Sequence, residues 1–184
     1  MFWNRKWPRL ASDLRQLGLW AHLPPAEADK HQRGVAGGEY PFGLELECCF
    51  ADGENLAEQG VEEFLTDLAP ALQRHGVALQ VETVALPETD GDEYAVAING
   101  RRCLVWGPDD WTYGRPWYTS TTRPLAIVND LLAEAGAAVR VFTLHTGGNE
   151  GIAFILRPEI IAAIHRSGLL APRDTPELPT DTAL

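Results

Sequence analysis

A chain of 184 residues, 45% of them hydrophobic, can bury a core without disulfides or metal and is too apolar to stay disordered. Its net charge of -11 opposes nucleic-acid backbones and anionic lipid, and no stretch approaches the ~20 apolar residues of a membrane helix, so neither nucleic acid nor membrane is an expected partner. Three cysteines, Cys48, Cys49 and Cys103, make neither a disulfide framework nor a zinc site and read as buried thiols of a reducing cytoplasm.

The charge is uneven. Residues 42–100 hold thirteen Asp/Glu and one basic residue, Arg74, which is essentially the whole excess. The N-terminus, Met1 to Pro8, has basic residues but no apolar run behind them, so no secretory signal is expected.

In chain order, Ser12–His22 reads as a helix capped by Ser12, with Leu14 and Leu17 on its apolar stripe. Pro24–Pro41 reads as a long connection and Phe42–Ala51 as a strand of alternating period. A helix follows from Asn55, with Val61, Phe64, Leu65, Leu68 and Leu72 at helical spacing, a kink or a split expected at Pro70 and a stop at Gly76. Val77–Leu86 is the next strand. Tyr94, Val96 and Ile98 then alternate into Asn99-Gly100, the strongest hairpin signal in the chain, and Arg102–Trp106 returns. Residues 107–122 read as a loop and Arg123–Ala135 as a helix. Val139–His145 and Ile152–Leu156 flank the turn 146–151, and a last helix starts at Pro158. The sum is an α+β fold: an antiparallel sheet of five to six strands with helices mainly on one face. A helix–strand–strand order recurs after Gly76 and Gly136, as two halves would. Residues 1–171 read as one domain and 172–184 as a flexible, proline-broken tail.

The most unusual stretch runs from Trp106 to Tyr118. Trp106, Trp111, Tyr113, Arg115, Trp117 and Tyr118 crowd thirteen residues, and Trp, Tyr and Arg are the types that dominate interface hot spots. The alternative is a lid of rings folded back on the core. Asn129, an unfavourable residue inside a helix, is expected to hydrogen-bond a loop or strand backbone.

Chemistry has weaker signals. Asp109, Asp110, His145 and Glu150 would form a carboxylate/His site if the two loops met. No nucleophile motif, metal-ligand spacing or phosphate loop accompanies them, so no cofactor or metal is expected. Two readings result. One is an acidic protein-binding module for a basic partner, using the aromatic segment for affinity and Glu62 and Glu63 for steering. Its size and acidity resemble, in composition alone, the inhibitory immunity and antitoxin proteins that bacteria keep against toxic enzymes. The other is a small hydrolase built on Asp109, Asp110, His145 and Glu150.

Overall fold

The computed structural model describes residues 5–88 and 92–180. Backbone contacts group the chain into two compact units, Met1–Glu47 with Leu156–Thr175, and Cys48–Ile155 with Pro176–Leu184. Charge divides with them. The first unit holds nine Lys/Arg against eight Asp/Glu, the second six against eighteen.

The first unit is helical. Helix α1 covers Lys6–Gln16 and buries Leu10, Ala11 and Leu14. It begins and ends six residues before the expected Ser12–His22. Pro8 lies within the first turn, where backbone N–H groups have no intrahelical partner, so the ring costs no bond. The chain turns left-handed at Gly18 soon after the helix ends. The expected connection at 24–41 contains a second helix, α2, Pro25–Ala36. Pro25 opens it, Glu27 and Arg33 complement its dipole, and only Ala28 and Val35 are buried, too few for a periodic signal. Residues 42–47 form turns rather than strand: the Leu46 N–H meets Gly43 O at 3.2 Å, and Leu44 is exposed where alternation would bury it.

The second unit is the α+β part, and its six strands form two three-stranded antiparallel sheets. One has the order β1-β6-β5 (Cys48–Phe50, Ile152–Leu156, Arg140–Leu144), the other β2-β3-β4 (Val81–Ala85, Tyr94–Ile98, Arg101–Trp106). Between β1 and β2 lie a short helix α3 (Gly53–Asn55), a kinked segment (Leu56–Gly60) in which Gln59 is left-handed with φ of 79°, and α4 (Val61–Arg74). The cap is Asp52, whose Oδ1 accepts from Glu54 N at 2.9 Å and Asn55 N at 3.1 Å. Helix α4 runs through Pro70, because both Pro70 and Thr66, whose carbonyl it cannot meet, are exposed to water. After β4 come α5 (Pro108–Thr112) and α6 (Pro116–Glu134), where the sequence reads as loop up to 122; Pro124 lies inside α6 rather than near its start. α7, Pro158–Ser167, buries Ile160, Ile161 and Ile164 as expected and belongs to the first unit. Both helix–strand–strand halves exist, α4–β2–β3 and α6–β5–β6, and one core joins them: Leu65, Leu68 and Leu72 of α4, Leu125, Val128 and Leu132 of α6, Val96 and Val105 of one sheet, Val141 and Ile155 of the other.

The stretch read as a tail is engaged with the fold. Thr143 and Glu177 exchange two backbone hydrogen bonds of 2.8 Å, which extends pairing beyond β5, and Pro176 and Pro179 are buried. Residues 181–184 lie outside the described residues.

The β3–β4 hairpin closes as a type I′ turn, with φ of 49° at Asn99 and 77° at Gly100. A Cβ at Gly100 would meet nothing within 4 Å, so a side chain there is opposed by backbone conformation alone. Gly100→Val is therefore expected to lower stability by about 1–2 kcal/mol. Gly100→Asn should keep most of it, since Asn tolerates the left-handed region. Urea melts of the two variants check this; equal losses would place the cost in packing instead.

Candidate functional site: the aromatic segment and the acidic unit

Helix α5 is built by its own first residues. Gly107 enters extended, Pro108 takes the first helical position, and Asp110 folds back so that its Oδ2 accepts the Gly107 N–H at 2.9 Å. The Asp110 carboxylate is 3% exposed and grips Arg123 of α6 with both oxygens, at 2.6 and 3.1 Å. Arg115 approaches it at 3.9 Å, and the Arg115 guanidinium lies 5.2 Å from the Tyr113 ring centroid. Arg123 also reaches the carbonyls of Leu104 and Val105 along β4, at 3.5 and 3.4 Å. One buried ion pair thus pins a five-residue helix to a nineteen-residue one and to the sheet.

The six aromatic-segment candidates take different places. Trp106 is a core residue: its indole donates to Ala57 O at 2.9 Å and its ring meets Tyr94 and Trp111 edge-on at 6.2 and 5.5 Å. Trp117 is half-buried against the same core. Tyr118 is half-buried, and burial, with Glu177 adding to it, raises its phenol above the ordinary range. Only Trp111, 49% exposed, and Tyr113, 70% exposed, present their rings to solvent, with Arg115 beside them. Both expectations for the segment therefore hold in part: some rings cover the core and two face outward.

The acidic candidates also divide. Glu62 is turned inward, its Oε2 accepting from Thr83 N at 2.9 Å and Thr83 Oγ1 at 2.6 Å. Glu63 is exposed, and with Asp67 one turn on along α4 it borders a cleft of about 380 Å³ over Phe50 and Phe64. Phe50, on β1, is 67% exposed and was not among the residues singled out from the sequence. Most of the unit's six cations are engaged: Arg101 with Glu134, Arg102 with Glu93, Arg123 with Asp110, and Arg140 with the carbonyls of Ala137 and Val139.

No hydrogen bond or ion pair among the described residues joins Asp109 or Asp110 to His145 or Glu150. Asp110 is committed to Arg123 and Gly107. Asp109 is exposed on α5, while His145 and Glu150 are exposed in the β5–β6 hairpin. His145 has φ of 55°, and its carbonyl closes the turn by accepting from Gly148 N at 3.0 Å. A Cβ at Gly147 would stand 2.9 Å from the main chain of Tyr118, so this glycine serves a close approach of hairpin and helix. Among the described residues no group of three His, Cys, Asp or Glu could hold a metal ion, and no helix is long and apolar enough to cross a membrane. No protein-family model, curated protein or solved structure matches this chain.

Proposed function

We propose that this chain is a protein-binding module that docks through Trp111, Tyr113 and Arg115 on a basic protein, with an inhibitory role of the immunity or antitoxin kind. The observation that carries the reading is the rigid display of two exposed rings. The Asp110–Arg123 pair and the edge contact of Trp111 with Trp106 fix α5 before any partner arrives. Rings held in place in this way lose little freedom on docking, which is how aromatic anchors become hot spots. The eighteen carboxylates of the second unit, among them Glu63 and Asp67, supply the field that draws a cationic partner. Three free cysteines fit a reducing, cytoplasmic setting. The test uses the wild-type chain and the Trp111→Ala/Tyr113→Ala double variant as paired baits in extract from the native cell. A basic protein held by the wild type and lost by the variant is the expected result; identical retention by both baits counts against the reading.

A further inference from the structure

Lys6 and Arg9 are three residues apart on α1 and so share a face, and Arg166 stands in the last turn of α7. With Asp13 and Ser167 they line a cleft of about 400 Å³ over Leu10 and Ala163, all within the first unit. The Lys6 ammonium is fixed there by donating to Ser167 O at 3.2 Å. Among the described residues neither Arg9 nor Arg166 has a hydrogen bond or ion pair. Elsewhere in the same unit cations do find acids, as in Arg15–Asp29 at 3.1 Å and Arg157–Glu159 at 3.5 Å. Three cationic residues share this lining with a single carboxylate, Asp13, and a ligand with two negative charges cancels the local excess.

We propose that this cleft binds a phosphate monoester. Its dianionic head would sit between Lys6, Arg9 and Arg166, since guanidinium forks match phosphate oxygens bidentately and the ammonium serves as a point charge. Asp13, an acceptor when ionised, would take a hydroxyl of the ester. The second ionisation of a phosphate monoester lies near pH ~6, so affinity rises through that range as the dianion forms. This site is independent of the aromatic segment, and either proposal can fail without the other.

Titration of the full-length chain with glycerol phosphate, followed by calorimetry, tests it. The expected result is saturable one-site binding that strengthens from pH 5 to 7. Arg9→Gln and Arg166→Gln should each weaken it by about tenfold, the loss of one charge-assisted contact. Arg33→Gln, an exposed cation of α2 outside the cleft, should bind as wild type, and all three variants should remain folded. Vesicles containing phosphatidic acid form a second arm. Binding to them and not to the soluble ester assigns the phosphate to a lipid headgroup, and binding to the soluble ester assigns it to a small molecule. Absence of saturable binding in both arms, or equal weakening by Arg33→Gln, overturns the proposal.

Discussion

Asn129→Leu is expected to cost about 3 kcal/mol of stability. The Asn129 side chain, inside α6 and nearly buried, donates from Nδ2 to Val141 O at 2.9 Å and accepts from Val141 N at 2.7 Å. Leucine nearly conserves volume but leaves the N–H and the C=O of a fully buried strand residue without partners. Each orphaned group costs about 1–3 kcal/mol, offset in part by the added apolar surface. For a chain of this size that loss lowers the melting temperature by about 6–12 °C. Denaturant melts with an unchanged slope check it. A loss under ~1 kcal/mol would mean that water replaces the amide, and that the helix does not depend on this bond to hold β5.

The second large effect separates a structural Asp110 from a catalytic one. Asp110→Ala removes the partner of a largely buried guanidinium and the acceptor of the Gly107 N–H. Breaking one side of a buried pair costs about 3–5 kcal/mol. Arg123 keeps the Leu104 and Val105 carbonyls and some solvent, so we expect the lower end, about 3 kcal/mol, with α5 the first element to loosen. Asp110→Ala combined with Arg123→Met should recover part of the loss, because no uncompensated charge then remains buried. An Asp110→Ala variant as stable as wild type would contradict the pinning role on which the display of Trp111 and Tyr113 rests.

These residues show what the sequence makes legible and what it does not. Local signals read well. Asn99-Gly100 specified its hairpin, and the Val61-to-Leu72 spacing specified α4, because each needs only a few neighbouring residues to express itself. Asn129 was legible as a misfit whose side chain had to bond a backbone, and it bonds β5. The closure of sheet edges was not legible, because it joins residues distant in sequence. Glu62 takes the Thr83 N–H on edge strand β2, and Arg123 reaches carbonyls of edge strand β4. Asn129 and Glu177 serve Val141 and Thr143 on edge strand β5. Unpaired edges invite association, and these side chains and the Glu177 backbone blunt them. Glu62 and Asp110, singled out as steering and catalytic candidates, are thereby spent on the fold. Helix α2 escaped notice for the opposite reason: a surface helix with two buried residues carries almost no periodic signal. Phe50 looked like one more apolar residue of a strand, and only the fold reveals that it faces solvent beside Glu63 and Asp67.

Association and dissociation rates against the captured basic partner separate an aromatic interface from a structural lid. Trp111→Ala and Tyr113→Ala should speed dissociation, with ~2 kcal/mol or more lost for a ring that becomes a buried anchor, and leave association nearly unchanged. Glu63→Gln with Asp67→Asn should slow association, and the difference should fade between 0.1 M and 1 M salt as the Debye length falls from ~10 Å to ~3 Å. Trp117→Ala, whose ring packs on the domain's own core, should lower the melting temperature instead. If Trp111→Ala and Tyr113→Ala both dissociate at the wild-type rate while remaining folded, the aromatic segment is not the interface.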